Sequence, residues 1–67
     1  MADIAWLQRQ KADLLREKAA KAADRARYRR MKGWESNAEH AERQMTDLDR
    51  RIADIERRIA DVLRRGW

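Results

Sequence analysis

Residues 47–67 read DLDRRIADIERRIADVLRRGW, a seven-residue unit that comes round three times. Followed backwards, its apolar letters are Ala38, Ala41, Met45, Leu48, Ile52, Ile55, Ile59 and Val62, alternately three and four residues apart. That spacing matches one narrow face of an α-helix and is incompatible with the two-residue alternation of a strand. It defines the a and d positions of a heptad, a stripe that must be covered by another helix. Acids stand four residues before bases at Glu39/Arg43, Asp47/Arg51, Asp54/Arg58 and Asp61/Arg65. Such pairs are worth about 0.2–0.5 kcal/mol each and keep the outside of the helix wet.

The covering helix is expected in the first half of the chain. Ile4, Leu7, Leu14, Leu15, Ala19, Ala22, Ala23 and Ala26 form a less regular stripe there, with Lys11 and Lys18 where a strict heptad would place apolar groups. Between the halves lies Lys32-Gly33-Trp34-Glu35-Ser36-Asn37-Ala38-Glu39. Gly33 suits the left-handed position past a helix end, and Ser36 with Glu39 three residues on has the form of a capping box that opens a helix. Arg29, Arg30 and Lys32 crowd the preceding end, where cations oppose the negative pole of the helix dipole.

These signals predict an all-α fold, an antiparallel two-helix hairpin with a short turn near Gly33 to Ser36. The whole of 1–67 forms one unit, with helices over about 3–32 and 36–65. The seam joins Ile4, Leu7 and Leu14 to Met45, Leu48, Ile52, Ile55, Ile59 and Val62. Folding at the turn sets Ile4 near Val62, Leu7 near Ile59, Leu14 near Ile52, Ala22 near Met45 and Ala26 near Ala41. The competing arrangement is one continuous helix through Gly33 that dimerises along the seam, since an interior glycine costs only about 1 kcal/mol. The capping signals weigh against it.

Sixty-seven residues bury a small fraction of their surface, and a chain without cysteine has no disulfide to compensate. Idealised helix packing or association with other chains must supply the difference. The absence of proline and a charged fraction of 43% of mixed sign are in keeping with long helices. The net charge of +5 is uneven: residues 1–32 hold ten Lys+Arg and four acids, residues 33–67 seven and eight. MADIAWLQRQ has no basic segment followed by an apolar run, and no apolar stretch approaches the roughly 18 residues that span a bilayer. The expected location is the cytoplasm or a particle assembled in it, without a signal peptide or membrane contact.

Catalytic chemistry has little to work with. The single histidine, His40, lies beside Glu39 and Glu42 with no partner at helical metal-ligand spacing, and there is no glycine-rich phosphate loop. Ser36 is better placed as a cap than as a nucleophile. We expect no enzyme, no metal and no cofactor. The candidate contact surface is Arg25, Arg27, Tyr28, Arg29, Arg30, Lys32 and Trp34, where guanidinium groups interleave with aromatics that can face an acidic protein surface or packaged nucleic acid. The plain alternative is a solvated helix end. Trp6, Trp34 and Trp67 add three residues of the type that most often anchors an interface.

A helix, a short basic connector, and Ser36-Asn37-Ala38-Glu39 opening a second helix with Leu48, Ile52 and Ile55 in register resemble the small head-tail joining proteins of tailed phages, the protein W type. The resemblance implies two antiparallel helices and a basic structural protein lodged between portal and tail. It also implies a β-hairpin between the helices, for which the ten residues from Arg27 to Ser36 leave little room. The function expected is therefore a structural wedge or adaptor, present in several copies in a larger assembly, most specifically a phage virion. The alternatives are a small nucleic-acid-binding hairpin and a free-standing coiled-coil homo-oligomer.

Overall fold

The computed structural model describes residues 4–65. It consists of two helices, α1 (Ile4–Arg29) and α2 (Glu35–Arg64), joined by a five-residue turn. At 1.5 Å per residue they are about 39 and 45 Å long, and they lie side by side in a rod of 53 × 14 × 13 Å. The radius of gyration, 15.5 Å, exceeds the roughly 11 Å of a compact chain of this length. The expected antiparallel hairpin is the fold.

On α2 the seam is as the heptad spacing requires. Ala38, Ala41, Leu48, Ile52 and Ile55 are buried, and Met45, Ile59 and Val62 are half-buried. On α1 the facing stripe follows the same alternation, through Ile4, Leu7, Lys11, Leu14, Lys18, Lys21, Arg25 and Tyr28. Leu7, at 1% exposure, is its one fully buried member, and the other seven are half-buried. Half of this stripe is cationic. Leu15, Ala19, Ala23 and Ala26, expected on the seam, are exposed and point away from it; of the alanines only Ala22 is half-buried. The expected close approach of small side chains near the turn, with Ala26 against Ala41, is thus replaced by Arg25 at that level. A helix carries only one heptad stripe toward a given partner. Ile4, Leu7 and Leu14 set its phase, and the alanines fall outside it.

The same phase explains why the chain turns back. Tyr28, the last d position of α1, and Ala38, the first a position of α2, are ten residues apart, whereas an unbroken heptad register would need eleven. A straight helix through the turn would carry its two stripes roughly 100° apart, so no single partner could cover both.

The turn itself differs from the expectation at both edges. α1 ends at Arg29, three residues early, because Arg30 N–H donates to Arg27 O (3.2 Å) and Met31 N–H to Tyr28 O (3.0 Å), tightening the last turn. Gly33 has φ +89°, the left-handed backbone that its lack of a Cβ permits. α2 then starts at Glu35 with Trp34 in the cap position, and no side chain caps it. Ser36 lies inside the first turn, so the expected capping box does not form. The Glu35 carboxylate instead reaches back to accept from Gly33 N–H at 3.4 Å and places negative charge at the positive pole of α2.

Candidate functional site

Three cations of the α1 seam occupy successive a positions, and each reaches one acid of α2. Lys11 Nζ lies 3.4 Å from Glu56 Oε2, Lys18 Nζ 2.7 Å from Asp49 Oδ1, and Arg25 Nη1 3.3 Å from Glu42 Oε1. The spacing is seven residues on both helices, about 10.5 Å per rung, and each pair of residue numbers adds to 67. All six groups keep partial access to water, with side-chain exposures of 31–54%. A rung is therefore worth about 0.2–1 kcal/mol. Its larger effect is on direction: slipping α1 by one heptad would leave a terminal cation without its acid, and a parallel pairing would break the sequence of rungs.

At the turn end the ladder merges with the candidate contact surface. Glu42 Oε1 also accepts from Arg29 Nη2 at 2.8 Å, so one carboxylate holds two guanidinium groups. Arg27 pairs with Asp24 at 2.8 Å, and its guanidinium carbon lies 5.9 Å from the centroid of the Tyr28 ring. Tyr28 and Trp34 stack across the turn with centroids 5.7 Å apart and planes 14° from parallel. Arg25, Arg27, Tyr28, Arg29 and Trp34 are thereby brought together, largely in contacts within the chain. Arg30 and Lys32 have no carboxylate within ion-pair distance among the described residues, and beside them Met31 and Trp34 are each 40% exposed. The rod thus ends in a small cationic tip with an apolar centre.

Trp6 lies at the other end of the rod, 48% exposed on the outer side of α1. The structure does not bring it to Trp34. Trp67 lies outside the described residues, as does the question of whether it packs on Trp6. His40 is exposed on the outer side of α2, and among the described residues no three His, Cys, Asp or Glu side chains come together to hold a metal ion. An open groove of about 510 Å³ between the helices is lined by Gln10, Asp13, Leu14, Arg50, Arg51, Asp54 and Ile55. Its charges are of both signs, and its acids are engaged along their own helices: Asp13 with Arg16, and Asp54 with Arg57 (3.7 Å) and Arg58 (3.1 Å). Of the four expected acid-to-base pairs on α2 only Asp54/Arg58 forms, while Asp47 lies 3.9 Å from Arg50 instead of pairing with Arg51.

Two features went unread in the sequence. One is the full ladder, although Lys11 and Lys18 already stood on heptad positions; carrying that register to Arg25 and matching it with Glu42, Asp49 and Glu56 would have found it. The other is where the positive charge sits. Arg9, Arg16, Arg43, Arg50, Arg57 and Arg64 all occupy the heptad position opposite the seam and are exposed, forming an arginine ridge on the outer side of each helix. The signal was the spacing of seven between them, which a count by halves of the chain conceals.

No family model matches the chain, and no curated protein or solved structure matches it either. Among the described residues there is no strand, so the β-hairpin that the protein W type carries between its helices is absent from the Arg30–Trp34 turn. Among the described residues no helix is long and apolar enough to cross a membrane.

Proposed function

We propose that this chain is a non-enzymatic structural element, a helical wedge or adaptor that inserts its turn end into a neighbouring chain of a larger assembly. The observation that carries this reading is the tip, where Trp34 and Met31 stay exposed beside Arg30 and Lys32 while Arg25, Arg27 and Arg29 are held by acids of the chain itself. A stacked aromatic loses little freedom on being buried, and the two free cations suit an acidic rim on the receiving surface. The most specific form of the reading is a virion component of a tailed phage, present in several copies at the head-tail joint, supported by the two antiparallel helices and the basic character. The test is composition of purified particles: the chain should be present at fixed copy number and be lost from them on Trp34→Ala with Arg30→Glu. Particles that assemble fully without the chain count against the virion form. A tip variant that still enters its complex at the same stoichiometry counts against the adaptor reading as a whole.

A second reading, a nucleic-acid-binding hairpin, is favoured by the two arginine ridges. Neutralising several phosphates would make DNA or RNA affinity fall steeply between low and physiological salt. Absence of binding at 50 mM salt or below sinks that reading.

A further inference from the structure

The charges of α2 are sorted by flank. Every cation from Glu35 to Arg65 is an arginine, Arg43 first and then the doublets Arg50-Arg51, Arg57-Arg58 and Arg64-Arg65. All seven occupy the f and g positions of the heptad and are exposed. Only Asp47, Asp54 and Asp61, at the c position, stand among them, so this flank has an excess of four positive charges. Arg43, Arg51, Arg64 and Arg65 have no carboxylate within ion-pair distance among the described residues. On the other flank of α2, Glu42, Asp49 and Glu56 are taken up by the ladder. The outer side of α1 is different. There Arg9, Arg16 and Arg27 are matched in number by Asp13, Glu17 and Asp24, and Arg16 and Arg27 each hold one of those acids.

From this arrangement we infer that the arginine flank of α2 is a sequence-independent binding edge for double-stranded DNA, with its guanidinium groups on phosphates of both strands. The inference rests on the nucleic-acid reading above and names the surface and the form of the ligand. Arginine offers a planar fork to phosphate oxygens where lysine offers a point charge, and all four lysines of the chain lie outside α2. No f, g or c position of α2 holds an apolar side chain, and the one ring among them is His40. The flank therefore has neither the aromatic or aliphatic anchor of a protein interface nor the stacking platform of a single-strand site. Its length also fits. Arg43 and Arg64 are 21 residues apart, about 31 Å along the helix with a doublet every 10.5 Å or so, against about 34 Å for one turn of duplex. A straight ridge of that length meets both phosphate backbones as they wind past it. The exposed Met31 and Trp34 lie at the tip, outside this flank.

The test is the salt dependence of binding of the full chain to a labelled mixed-sequence DNA duplex of about 20 base pairs, by fluorescence anisotropy, with helicity recorded in parallel. Four excess charges predict a slope of log affinity against log salt of about −3.6, a loss of roughly 150-fold between 50 and 200 mM. Arg43→Gln with Arg50→Gln should flatten that slope by about 2, whereas Arg9→Gln with Arg16→Gln should move it by less than about 0.5. Asp47→Asn with Asp61→Asn removes acids from the flank and should tighten binding and steepen the slope by about 2, a gain that loss of fold cannot mimic. Equal effects of the two arginine pairs, or an unmoved affinity in the asparagine variant, overturn the inference and leave the broader nucleic-acid reading standing. So does a single strand or an RNA duplex bound more tightly than the DNA duplex. Displacement of the duplex by polyglutamate at equal charge concentration points to an acidic protein instead and also overturns it. No binding of duplex or single strand at 50 mM salt or below overturns both.

Discussion

α1 and α2 present stripes of identical heptad spacing to each other and fill them with different chemistry. α2 offers eight apolar side chains in a row, five of them buried. α1 offers two aliphatic anchors toward the open end, Ile4 and Leu7, and then four cations interrupted by Leu14 and followed by Tyr28 as it approaches the turn. The difference divides the work: burial on α2 supplies a spine that any apolar helix could cover, and the ladder on α1 decides which helix covers it, in which direction and at which level. Apolar contact is non-directional, whereas a cation finds its acid at only one register.

The largest break in this comparison is expected from the spine. Ile52→Ala should lower the unfolding free energy by about 2–4 kcal/mol, against no more than about 0.5 kcal/mol for the exposed Leu15→Ala in a monomeric background. Denaturant melting followed by helicity measures both, and equal losses would mean that Leu15 faces the seam after all. Reversing the ladder on one side, with Glu42→Lys, Asp49→Lys and Glu56→Lys together, should cost about 1–3 kcal/mol at low salt. Matching reversal of Lys11, Lys18 and Arg25 to Glu should restore most of it. Persistence of the full loss in the matched variant would show that the rungs contribute nothing to pairing.

Gly33→Ala should cost about 1 kcal/mol, because alanine resists φ +89° although nothing lies within 4 Å of the Cβ it would add. Lys18→Leu sharpens the contrast in the opposite sense. An added apolar seam residue should raise the melting temperature by a few degrees while making the mutant more tolerant of the reversed acids. The smallest effect is expected at Ser36→Ala, below about 0.3 kcal/mol, where a serine capping the helix would cost about 1 kcal/mol. A loss near that larger value would restore Ser36 to the cap position.

Much of this was legible in the sequence, for identifiable reasons. The α2 seam is repeated over four heptads, so no local irregularity obscures its phase. The left-handed position of Gly33 follows from its lack of a side chain just past a helix end. On α1 the apolar letters misled, since Leu15 and the alanines are apolar without being interior, and the half-buried lysines place their methylene stems at the seam with their charged ends in water. At the turn, Ser36 had the right spacing for a cap, and Tyr28–Trp34 stacking with the tightened end of α1 moved the helix start one residue earlier.

The sequence by itself determined that there are two helices, that α2 turns a continuous apolar stripe inward, and that the chain reverses near Gly33, because periodicity and backbone preference are local properties of a chain. Only the tertiary structure decided which cations hold acids and which remain free. Ion pairs depend on the axial level at which two helices meet, and that level is set jointly by side chains some 17 to 45 residues apart. The candidate contact surface changed accordingly, from a run of seven basic and aromatic residues to a tip formed by Arg30, Met31, Lys32 and Trp34.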